Sequence, residues 1–172
     1  MTDAYDWSQF TLHMYYRASI ERVFAAWSTS GGLTSFFIRE ARHVAPDGTV
    51  RAPGEPAQPG DRYAWDFMHP FRVEGEFLPS DEREVAFTFG GAMRVKVTVR
   101  QVEEQVEVRL HQTGCATEDP DRAWQHLNCR TCWTYFMTNL KSVLEHDTDL
   151  RDRDRPAWND SVSIGWAPDL AT

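Results

Sequence analysis

A surplus of positive charge is the first thing this 172-residue chain lacks: Asp and Glu outnumber Lys and Arg by 26 to 18, a formal charge of −8. Such a field repels nucleic acid and anionic membranes, so neither is expected as the main partner. Long apolar runs are missing too, and none approaches the roughly 20 residues that cross a bilayer. The opening residues, MTDAYDWSQF, have neither a basic start nor an apolar middle, so a cytoplasmic location is the expectation. Cysteine is scarce. Three do not make a disulfide framework, and reduced thiols suit the same compartment. There is no internal repeat, Ser-His-Asp spacing, phosphate loop or nucleophile elbow, so catalysis has no motif behind it and no cofactor is expected.

Large rings, by contrast, are plentiful. Aromatics make up 13% of the chain, with 7 Trp and 10 Phe, and must be housed in a wide core or a lined cavity. The length fits one domain, residues 1–146, with a tail, residues 147–172, that wraps the domain surface. Residues 10–18 read as a first strand. Ser19 caps a short helix in which Ile20, Val23, Phe24 and Trp27 have helical spacing, Gly31 and Gly32 stop it, and LTSFF makes a further turn. Residues 46–60, with four of the nine prolines, form a loop.

Alternation then takes over. Tyr63, Trp65 and Phe67 share one strand face, as do Phe71, Val73, Gly75 and Phe77 in the next. Val85, Phe87 and Phe89 pair through a Gly90-Gly91 turn with Met93, Val95, Val97 and Val99. The last strand points Val106, Val108, Leu110 and Gln112 inward, and Gln112 is the polar exception. Residues 119–145 read as one long helix, with Pro120 in its first turn behind an acidic cap at Asp119. Its inner stripe is Cys129, Cys132, Trp133, Phe136, Leu140, Val143 and Leu144.

YRASIERVFAAWSTSGGLTSFF and LHQTG…DPDRAWQHLNCRTCWTYFMTNLKSVLE resemble the start and end signatures of the family related to the activator of heat-shock-protein-90 ATPase. That family lies within the START-like helix-grip (SRPBCC) superfamily. The resemblance spans residues 10–145. It implies an α+β helix-grip fold: a curved antiparallel sheet around a long C-terminal helix, with two short helices after strand 1. It further implies an apolar cavity for a small ligand, and two alternatives: a chaperone-associated interaction module, or a cyclase- or hydrolase-like enzyme. Chaperone activation itself is not implied, because the eukaryotic co-chaperone uses a second domain. Gln112 departs from the family, which often has histidine there.

The candidate cavity wall is Trp27, Phe36, Phe37, Tyr63, Trp65, Phe67, Phe71, Phe77, Phe87, Phe89, Gln112, Cys129, Cys132 and Trp133, set against the plainer reading of a filled core. An unpartnered Gln112 would cost about 1–3 kcal/mol, so it should bond Tyr63 or a water or await a ligand. His126, Cys129 and Cys132 have helical ligand spacing, but zinc wants four ligands, so no metal is expected and the thiols read as small core hydrophobes. Asp66, Glu74, Glu76 and Glu84 alternate outward as a solvated face. Trp124, Leu127 and Tyr135 fall opposite the core stripe. The tail, through Trp158, Ile164 and Trp166, is expected to cover them, with a homodimer as the alternative.

Overall fold

The computed structural model describes residues 5–68 and 71–151. Seven strands form one antiparallel sheet: β1 (Gln9–Tyr16), β2 (Glu40–Val44), β3 (Arg62–Met68), β4 (Phe71–Leu78), β5 (Glu84–Phe89), β6 (Met93–Val102) and β7 (Gln105–Thr113). Their order is β1-β7-β6-β5-β4-β3-β2, so the first strand returns beside the last. The inward alternation of β6 and β7 is strict: Met93, Val95, Val97, Val99, Val106, Val108, Leu110 and Gln112 are all buried. Gly90 and Gly91, both at positive φ, turn the chain between Phe89 and its partner Met93.

Between β1 and β2 come α1 (Ile20–Ser28) and α2 (Ser30–Phe36). Ser19 accepts the Arg22 amide as the N-cap of α1. The two glycines do not stop a helix, as their sequence suggests; they lie in the first turn of α2. Thr29 makes the break, donating to Ala25 O and accepting from Gly32 N. Gly32 is there for space, since a Cβ would sit 2.1 Å from Ala25 O.

The closing helix is likewise not one regular run. Residues Ala123–Asn128 are π-helical, and α3 (Cys129–His146) continues from them. Asp119 takes the Arg122 guanidinium instead of a backbone amide. The wider π turn carries His126 and Asn128 into the interior, while α3 buries Cys129, Trp133, Phe136, Met137, Asn139 and Leu140. Tyr16 donates to Met137 O at 3.1 Å, tying β1 to the middle of α3.

Past α3, Asp147 turns the chain at φ 51°. Asn139 accepts the Leu150 amide and donates to Phe36 O, and the buried Arg151 donates to Ile38 O and Thr34 O. Residues 147–151 thus close the end where α2 meets β2. Trp158, Ile164 and Trp166 lie outside the described residues.

Candidate functional site

The expected cavity wall converges on the space between sheet and α3. Trp27, Phe36, Trp65, Phe87 and Trp133 are fully buried, and Phe37, Tyr63 and Phe77 nearly so. Phe37 lies at the centre, with ring centroids 4.7 Å from Trp133, 4.9 Å from Phe136, 5.0 Å from Phe67 and 5.7 Å from Trp65. Tyr63 stacks on Trp65 at 3.8 Å and donates to Thr88 O across β4. Gly75 leaves it that path, because a Cβ there would meet the Tyr63 hydroxyl at 2.6 Å.

Phe71 departs from the expected inward set. It is 52% exposed at the end of the β3–β4 pair, beyond the irregular register between Asp66 and Met68, with its ring 5.6 Å from that of Phe67. Phe67 and Phe89 are half-buried.

Gln112 is fully buried and fully partnered, and not by Tyr63. Its Oε1 accepts from Trp133 Nε1 at 2.8 Å, and its Nε2 donates to Gln125 O at 3.2 Å with the sulfurs of Met93 and Cys115 beside it. Burial pushes the thiol pKa of Cys129 up to about 12 and of Cys132 up to about 11, which holds both protonated and suits them to packing over redox chemistry. His126 joins no ligand set. Its Nδ1 donates to Trp7 O and its Nε2 accepts from Tyr5, with Tyr5, Trp7 and Phe10 edge-on around the ring. Among the described residues no group of three His, Cys, Asp or Glu could hold a metal ion.

Three buried side-chain atoms have no partner among the described residues: Trp27 Nε1, Ser28 Oγ and His43 Nδ1. Trp65 donates to His43 Nε2 at 3.3 Å, so the His43 proton is on Nδ1 and that donor is the orphan. His43 reads from sequence as an ordinary strand residue, and nothing in its spacing marks it. The two carboxylates buried among the described residues are spent on cations, Asp61 on Arg51 and Glu107 on Arg100.

Of the expected partner surface, Trp124 (46%) and Leu127 (36%) are exposed. Tyr135 is half-buried; it packs on Phe136 and donates to Leu150 O. Among the described residues no helix is long and apolar enough to cross a membrane.

Residues 17–145, which run from just after β1 through the paired short helices and the other six strands into α3, match the family described as activator of Hsp90 ATPase homolog 1-like protein. The chain belongs to that family. No curated protein matches it significantly. Among solved structures, the Staphylococcus saprophyticus protein SSP2350 is 18% identical with a TM-score of 0.65, covering 83% of this chain and 96% of that one. An Aha1 dimer from Colwellia psychrerythraea is also 18% identical, with a TM-score of 0.61 over 80% and 96% of the two chains. CalU16 from Micromonospora echinospora is 14% identical, with a TM-score of 0.60 over 83% and 77%. At these identities the likeness to solved structures establishes the helix-grip fold.

Proposed function

We propose that this member of the family is a small-molecule binding protein that holds an apolar or aromatic ligand between the sheet and α3. The observation that carries the reading is the set of orphaned polar atoms, Trp27 Nε1, Ser28 Oγ and His43 Nδ1, in an interior that is mostly apolar and rich in rings. A buried donor without an acceptor costs about 1–3 kcal/mol, so an acceptor oxygen brought in by a ligand would recover it. The Trp27 ring lies 6.0 Å from that of Trp133 on α3, centroid to centroid. Entry would run past the half-buried Phe67 and Phe89. The ligand class is therefore an aromatic or apolar molecule with an oxygen acceptor. The orphans are donors or a hydroxyl and the buried carboxylates are already paired, which favours binding over acid–base turnover.

Native mass spectrometry of the full chain tests this, with titration by 2-naphthol followed at the tryptophan indole N–H signals in NMR. The reading expects a retained small mass, or saturable naphthol shifts at Trp27, Trp65 and Trp133. Neither a retained mass nor a shift at naphthol's solubility limit would sink it. The same spectrum counts subunits. The exposed Trp124 and Leu127, with the dimeric Aha1 relative, support a homodimer through that face.

A further inference from the structure

The outer face of the sheet, away from the rings, carries a groove of about 310 Å³ lined by His13, Glu84, Lys96, Thr98, Arg100, Glu107, Arg109 and His111. Strand register builds it. Glu84, Thr98, Arg109 and His13 are successive partners across β5, β6, β7 and β1, flanked on one side by the Lys96–His111 pair and on the other by Arg100–Glu107–Tyr15. Arg109 is thus the middle of the patch.

The floor is charged and already balanced. Glu107 is only 3% exposed although it points to the outer face. It accepts from Arg100 Nε, from His13 Nδ1 at 3.0 Å and from Tyr15 at 3.1 Å. Those bonds, Arg100 first and His13 next, draw its pKa down to about 2, against the cost of burial, so it stays ionised. Glu84 accepts from Thr98 at 2.9 Å and pairs with Lys96 at 3.3 Å. Both carboxylates are spent within the wall.

The cations are not all spent. The Arg109 side chain is exposed and makes no hydrogen bond or ion pair to another described residue. Lys96 and Arg100 stay more than half exposed while holding their carboxylates, which leaves ammonium and guanidinium protons facing solvent. Arg94 extends the same outer row of β6. A chain of net charge −8 therefore carries a local positive island, and burial together with Arg109 and Lys96 lowers the pKa of His111 within it. A single solvated Arg would need no explanation. Several cations around a concavity whose own carboxylates are neutralised match a ligand with more than one charged oxygen, because a guanidinium takes such groups two at a time. The volume fits a small molecule and is too little for a polymer.

We propose that this groove binds a small anion bearing at least two charged oxygens, a phosphate or a polycarboxylate, with Arg109 as its main contact and Lys96 and Arg100 beside it. The site is independent of the interior one, and either can fail alone.

The test is amide NMR on the full chain, titrated separately with inorganic phosphate and with citrate, each against sodium chloride at matched ionic strength, since exposed charges are screened by salt. The expected result is saturable shifts of the 96–100 and 107–111 amides with at least one of the two probes, and the responding probe assigns the class. Arg109→Gln should weaken that binding at least tenfold, while Arg62→Gln, the same charge change on β3, leaves it unchanged. Should Arg109→Gln fail to give a folded spectrum, Lys96→Gln carries the prediction, with a severalfold loss. Shifts no larger than those from chloride, or unaltered by both groove variants, overturn the proposal. So do shifts at these strands that follow protein concentration instead of the probe, since they mark a second copy as the occupant.

Discussion

Trp133 donates its indole N–H to Gln112 Oε1 at 2.8 Å, joining the first turns of α3 to the end of β7 through the interior. The same amide donates to Gln125 O, so one side chain serves the π-helical segment, α3 and the sheet together. The polar exception on β7 is thus a structural joint.

Gln112→Leu leaves the Trp133 N–H without a partner in a dry interior and takes from the Gln125 carbonyl its amide donor, leaving it the weak Cys115 thiol at 3.5 Å. The expected loss is about 2–4 kcal/mol of unfolding free energy, measured by urea denaturation. Adding Trp133→Phe removes the orphaned indole N–H, and a double-mutant cycle should give a coupling of about 0.5–3 kcal/mol. A Gln112→Leu protein within about 0.5 kcal/mol of the wild type would mean that the joint is not energetically significant.

Two glycines make a sharper contrast. A Cβ on Gly32 would come within 2.1 Å of Ala25 O and 2.6 Å of Ala26 Cα, both backbone atoms of α1, so the helices would have to part. A Cβ on Gly54 would have nothing within 4 Å. Gly32→Ala should lower stability by about 2 kcal/mol or more, whereas Gly54→Ala should be neutral or stabilising by up to about 1 kcal/mol. Equal melting temperatures for the two variants would contradict the close approach.

The sheet was legible because two-residue periodicity survives wherever one face is buried: Val95, Val97 and Val99 need no neighbours to be read. The glycine pair at 31–32 misleads because its role is a long-range contact with Ala25 and Pro53, which local sequence does not carry. Helical periodicity likewise has no way to register the wider turn at Ala123–Asn128, which is what buries His126. Phe71 keeps the parity of its strand and still reaches solvent, because parity says which face a residue takes and not how far along the sheet the cover extends. The orphaned His43 and the unspent Arg109 were invisible for a third reason. Each is defined by what its neighbours across the sheet do with their hydrogen bonds.

His43 sets the last expectation, in pH. Burial drives its pKa down from 6.5 to about 4, with nearby Asp61 only partly opposing and Arg51 assisting. The folded protein keeps the ring neutral while the unfolded chain takes a proton below about pH 6.5, so stability is complete above that pH and falls as pH drops toward 4. Over the whole window the loss amounts to about 3 kcal/mol. His111 and His126 are also lowered, burial foremost in each, and act with the same sign. Glu107 and Asp149, lowered by their cation and amide partners against the cost of burial, add their own losses in more acid solution. The window from pH 6.5 to 5 therefore isolates the histidines. His43→Leu should reduce stability at pH 7.5, because Trp65 Nε1 loses its acceptor. It should also flatten the slope between pH 6.5 and 5 by close to 1 kcal/mol per pH unit, read from urea midpoints at several pH values. An unchanged slope would show that His43 takes up its proton at Nε2 in the folded state, at the expense of the Trp65 hydrogen bond.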